Sequence, residues 1–82
     1  MYRVLKIAGP RRPYDGVALL GLATPHVGST MHLYRTDDDA RVFTSVVQRV
    51  FESGGYLYAQ TVNSVYRFEW VETLAPGLRA SG

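Results

Sequence analysis

The stretch from Tyr56 to Val71, YLYAQTVNSVYRFEWV, constrains the fold more than any other part of the chain. It carries three of the six tyrosines, one of the three phenylalanines and the sole tryptophan. Successive side chains of an extended strand point to opposite faces. In its second half, Tyr66, Phe68 and Trp70 therefore share one face, with Val65, Arg67, Glu69 and Val71 on the other. Asn63-Ser64 separates the two halves, and both residue types reverse a chain by hydrogen-bonding nearby backbone. The pattern predicts a β-hairpin or a sharply bulged strand, preceded by a turn at Gly54-Gly55, with Tyr66, Phe68 and Trp70 in the core.

What pairs with this hairpin is set by Ala40 to Ser53, where two signals compete. Val42, Phe43, Val46, Val47, Val50 and Phe51 recur at helical spacing, with Asp37-Asp38-Asp39 in front as caps and Gly54 behind. Most of those residues are β-branched or aromatic, and a two-glycine turn would deliver the segment directly against the hairpin. The reading is an extended, paired segment; the alternative is an α+β fold with one helix at about 40–53.

The remaining segments read as short strands between turns. Tyr2 to Ala8 is a first or edge strand, stopped at Gly9-Pro10 because proline cannot donate to a ladder. Gly9 to Gly16, GPRRPYDG, is a surface loop, and Val17 to Ala23 is an apolar strand that Gly21 bends or bulges. A second loop carries His26, and Thr30 to Arg35 is another strand before the solvated aspartate turn. The expected fold is all-β: a small five-stranded barrel-like or curled antiparallel sheet, which removes exposed edges. One domain spans 1–75, with a flexible C-terminal tail at 76–82.

Size and composition support a single globule. Eighty-two residues suffice for one compact domain, and 46% hydrophobic with 12% aromatic residues is ample for a core. The chain has no cysteine, which excludes disulfides and thiolate chemistry. No run approaches the ~20 apolar residues of a membrane helix. Charges at Arg3 and Lys6 interrupt the first apolar stretch, which is not that of a secretory signal, so a cytoplasmic location away from the membrane is expected. A net charge of +2 permits nucleic-acid binding without requiring it.

Two short pieces, Phe43-Thr44-Ser45-Val46-Val47 and Thr61-Val62-Asn63-Ser64-Val65-Tyr66, form a pattern that resembles small uncharacterised bacterial and phage-type β-proteins. In those, a Thr-Ser-x-Val strand precedes a Thr-x-Asn-Ser-x-Tyr hairpin. The resemblance covers about a third of the chain. It implies a β-hairpin with an Asn-Ser turn and a bacterial or mobile-element origin, and no particular activity.

The residues that could do chemistry are scattered. His26 and His32 lie six apart without cysteine, and the aspartate run lacks the alternating ligands, central glycine and terminal glutamate of a calcium loop. No serine stands in a nucleophile-elbow context. The expectation is a protein without catalytic, metal or cofactor residues. Its function would be that of a binding module acting through protein–protein interaction, as an adaptor, regulator or inhibitor. The alternative is a nucleic-acid-binding small barrel using arginines and exposed tyrosines. The expected contact residues are Arg11, Arg12, Tyr14, Tyr56 and Tyr58. Prolines on either side stiffen the Arg11-Arg12 loop, and arginine and tyrosine are enriched at the energetic centres of interfaces. The partner would be a macromolecule, protein rather than nucleic acid, and an edge strand would also allow a homodimer.

Overall fold

A computed structural model describes residues 1–71, and every regular element among them is a strand. The domain boundary expected at residue 75 and the tail at 76–82 lie outside the described residues. The elements are β1 (Tyr2–Ala8), β2 (Leu19–Gly21), β3 (His32–Arg35), β4 (Arg41–Phe43), β5 (Val47–Ser53), β6 (Tyr56–Thr61) and β7 (Val65–Trp70). No helix among the described residues is long and apolar enough to cross a membrane.

All pairings are antiparallel, in the order β4-β3-β2-β1-β7-β6-β5. The two outer strands, β4 and β5, are consecutive in the chain and joined by Thr44 to Val46 alone. A flat seven-stranded sheet would hold its edges about 29 Å apart at ~4.8 Å per strand. The link spans at most about 14 Å. The sheet must therefore curl, and it forms a half-barrel with the core on its concave side.

The all-β class agrees with the sequence, but seven strands replace the expected five. The Tyr56 to Val71 stretch is a true hairpin, β6 and β7, and the Ala40 to Ser53 segment divides into β4 and β5. Hydrogen bonds explain the division. The Thr44 amide donates to the Met31 carbonyl (3.1 Å) and the Val47 amide to the Ser29 carbonyl (2.9 Å), while the Val62 amide donates to the Val46 carbonyl (3.2 Å). The chain changes partners here, from the β3 side to β6. A register shift between Val47 and Arg49 then adds one residue to β5. Corner and bulge together space the inward-facing Val42, Val47 and Val50 by five and three residues. That irregular spacing is what imitated a helix.

The turns on either side of β6 use backbone chemistry suited to them. Gly54 and Gly55 have φ of 59° and 87°, the left-handed pair of a type I′ turn, which closes β5 onto β6 at Ser53–Tyr56. Between β6 and β7 the Thr61 hydroxyl accepts from the amides of Ser64 (3.0 Å) and Asn63 (3.3 Å). Threonine at the turn's entrance, rather than Asn63 within it, supplies the side-chain oxygen that reverses the chain.

The core is built from Val4, Leu19, Leu33, Val47, Ala59, Tyr66 and Phe68, all nearly inaccessible, with Met31 and Val42. Gly21 lies among them. A β-carbon there would sit 3.2 Å from Leu33 Cδ2 and 3.3 Å from Val4 Cγ2, so the space belongs to its neighbours. Trp70 departs from expectation: it is 61% exposed, against 2% for Tyr66 and Phe68. Its strand face is the predicted one, but β7 ends there, opposite Tyr2, the first residue of β1. Among the described aromatic residues, the Tyr2 ring meets it edge to face (5.1 Å between centroids, 73°).

Candidate interaction surface

The expected contact residues fall in two places. Arg11 and Arg12 are exposed on the loop between β1 and β2. That loop is held by a bond from Lys6 Nζ to Asp15 Oδ1 (2.7 Å), a second from Lys6 Nζ to the Pro10 carbonyl, and one from the Arg12 amide to Asp15 Oδ2 (3.1 Å). The Lys6 bond first, and then the Arg12 amide, hold the Asp15 carboxyl below the usual carboxylate range. Tyr14, in the same loop, folds inward. It packs on the core, and its hydroxyl lies 3.1 Å from that of Tyr66. Burial, helped by this bond, pushes the Tyr66 phenol far above its ordinary value. Arg12 and Tyr14 thus border the concave side, with Ser64 and Tyr66.

Tyr56 and Tyr58 lie on the other side of the sheet. Ala59 of β6 is fully buried opposite Tyr66 and Leu57 pairs with Phe68, so the alternate residues Tyr56, Tyr58 and Gln60 face outward. The structure therefore joins Arg11, Arg12 and Tyr14 on one side and Tyr56 with Tyr58 on another, and does not bring the two groups together.

On the outer face, the register of β5, β6 and β7 assembles a ladder. Tyr58 stands opposite Phe51 on β5 and Arg67 on β7. The Phe51 and Tyr58 rings stack with centroids 5.1 Å apart and planes 8° from parallel. Arg49 places its guanidinium carbon 4.6 Å from the Phe51 ring centre, and Arg67 places its own 4.5 Å from the centre of Tyr56. Such cation–π contacts contribute about 0.5–1 kcal/mol at exposed sites. Their larger effect is to hold long side chains in one geometry before any partner arrives. Next along the face, Arg3 of β1 pairs with Glu69 of β7 (2.6 Å). Arg49 and Arg67 have no carboxylate partner among the described residues.

A smaller aromatic group extends the face over β3 and β4: His32 meets Phe43 edge-on at 4.6 Å, and Arg41 lies 6.0 Å from the Tyr34 ring. The sequence reading named Tyr56 and Tyr58 as contact residues, but not Phe51, Arg49 or Arg67. Cross-strand register is what makes them neighbours, and register is not visible in local alternation.

Among the described residues no group of three or more histidines, aspartates or glutamates is placed to hold a metal ion. A cavity of about 330 Å³ lies between the Leu22 to Thr30 loop and β3, with Met31, Leu33 and Phe68 among its lining. No family model, no curated protein and no solved structure matches this chain.

Proposed function

We propose that this protein is a small non-enzymatic binding module that acts through contact with another protein, as an adaptor, regulator or inhibitor. Its contact surface is the outer face of β5, β6 and β7. One observation carries the reading: Phe51 and Tyr58 stack on each other, and the guanidinium groups of Arg49 and Arg67 stand over the rings of Phe51 and Tyr56, so each ring has a face engaged within the chain. A surface that binds single-stranded nucleic acid by stacking must present free ring faces to the bases. This ladder offers ring edges, two phenolic hydroxyls and two cations without carboxylate partners among the described residues. Those groups suit an interface with an acidic, partly apolar protein surface. Holding them in place beforehand lowers the side-chain entropy lost on association.

The experiment is affinity capture from native lysate with and without nuclease, comparing the parent with Tyr58→Ala and Arg67→Glu variants shown to be folded. The expected result is a protein captured by the parent after nuclease treatment and lost in both variants. Captured proteins that disappear with nuclease, together with steeply salt-dependent binding of a single-stranded oligonucleotide, would replace this reading with the nucleic-acid one.

A further inference from the structure

We infer that two copies of this chain associate through the free edge of β5, joining two half-barrels into one continuous sheet around a two-fold axis at Phe51. The inference concerns self-association and does not depend on the identity of any other partner.

The edge is defined by the hairpin and the bulge. A two-residue turn makes Ser53–Tyr56 the closing hydrogen-bonded pair, so Ser53, Phe51 and Arg49 direct their amides and carbonyls at β6. Val50 and Glu52 direct theirs away from it. At Val47 the outward groups are already engaged, since the Gly28 amide donates to the Val47 carbonyl (2.8 Å) and the Val47 amide to the Ser29 carbonyl (2.9 Å). Among the described residues β5 pairs with β6 alone. Four outward backbone groups therefore remain, on Val50 and Glu52. Extended edges with such groups are templates for strand pairing.

A second copy uses all four. With Phe51 opposite the second copy's Phe51, Val50 lies opposite the second copy's Glu52 and Glu52 opposite its Val50, which makes four ladder bonds. Neighbouring registers of the same facing are blocked. A shift of one pair in one direction drives the second copy's Ser53 and Gly54 into the Gly28-Ser29 segment that covers Val47. A shift in the other direction sets Glu52 against Glu52, two like charges, and leaves one bonded pair. In the permitted register Arg49 faces the second copy's Ser53 on the outer face, and Glu52 faces the second copy's Val50 on the concave side. Neither Arg49 nor Glu52 has an ion-pair partner within the described residues. The antiparallel arrangement brings the positive end of each β5 to the negative end of the other. The half-buried Phe51 rings meet at a non-hydrogen-bonded position, where side chains approach most closely. The two outer-face ladders become one.

The association closes at two. The other outer strand, β4, has only three residues, so a head-to-tail array lacks a matching edge.

The absence of cysteine makes the test direct. In the predicted register the Phe51 α-carbons approach to about 4.5 Å, within disulfide reach, whereas Ser53 is displaced from its own counterpart by four residues, about 13 Å. Phe51→Cys is expected to oxidise to a covalent dimer and Ser53→Cys to form no cross-link. Glu52→Pro removes an outward amide that the monomer does not use, so the monomer keeps its fold while dimer dissociation becomes roughly tenfold easier or more. Sedimentation of the parent over a wide concentration range reads the equilibrium. A parent that stays monomeric up to its solubility limit would overturn the inference. So would a Ser53→Cys variant that cross-links as readily as Phe51→Cys, or a folded Glu52→Pro variant that dimerises like the parent.

Discussion

Replacing Gly9 with alanine tests how closely the first loop is seated on the sheet. Gly9 follows β1 where the chain leaves β7, with φ of 129°. That angle lies beyond the left-handed well that non-glycine residues visit. An added β-carbon would stand 2.8 Å from the Asn63 carbonyl oxygen, 2.9 Å from Ser64 Cα and 2.4 Å from Ser64 Oγ. The hydroxyl can rotate away, but the other two atoms are backbone of the β6–β7 turn, which the Thr61 hydroxyl and the Ser64 carbonyl fix. Relief needs a backbone movement of about half an ångström. Conformational strain costs about 1–3 kcal/mol, and forced overpacking about 1–3 kcal/mol more.

The expected loss is therefore about 3 kcal/mol or greater, out of roughly 4–12 kcal/mol for a domain of this size. Gly16→Ala provides the control. Its φ is 81°, but nothing lies within 4 Å of the added carbon, so only the conformational cost of about 1–2 kcal/mol applies. Urea unfolding of both variants measures the difference, and thermal unfolding should place Gly9→Ala about 12–24 °C below the parent. Adding Ser64→Ala to Gly9→Ala should recover little, because it removes only the closest of the three contacts. A Gly9→Ala variant no less stable than Gly16→Ala would refute the close seating of this loop.

Phe68→Ala should cost about 3–5 kcal/mol and Trp70→Ala no more than about 1 kcal/mol, because one is buried and the other largely exposed; equal losses in denaturant melts would mean the core extends to the end of β7. Tyr14→Phe should cost about 0.5–1.5 kcal/mol by removing the hydrogen bond between the Tyr14 hydroxyl and that of the buried Tyr66, and a stability unchanged on urea unfolding would place that bond outside the folded state. Asp15 has a lowered carboxyl pKa, so its contribution is present above the ordinary carboxylate range and lost as pH falls through the lower folded value. Asp15→Asn should accordingly flatten the acid limb of a stability–pH curve, and an unaltered limb would contradict the Lys6–Asp15 pairing. Tyr66 behaves oppositely: its raised pKa means the neutral phenol stabilises the fold below the ordinary tyrosine range, and this is lost as pH rises above it. An alkaline absorbance titration should therefore show Tyr66 ionising only together with unfolding.

The sequence alone was enough for whatever depends on neighbours along the chain. Period-two alternation identified the face shared by Tyr66 and Phe68, and the paired glycines at 54 and 55 announced the turn that delivers β5 to β6. β-branched residues between Val42 and Val50 outweighed their helical spacing, because strand pairing on both sides of the corner absorbed it. The remainder required the tertiary structure. Trp70 has the strand face of a core residue but lies where the sheet ends, and the extent of a sheet is set by partners distant in sequence. Thr44 to Val46 reads as continuous strand until its carbonyls and amides are seen to change partners; this division, with the Tyr56 to Val71 stretch resolved into two strands, turns five strands into seven. Tyr14 has the composition of a loop contact but turns inward because Tyr66, far along the chain, offers it a buried hydroxyl. The outer-face ladder depends on the same kind of information: Arg49, Phe51, Tyr58 and Arg67 lie on three strands, and only their register makes them neighbours. Local chemistry selects which segments are strands and where they turn. Which side chains meet is decided by pairing across the sheet, where a shift of one residue would exchange every contact on both faces.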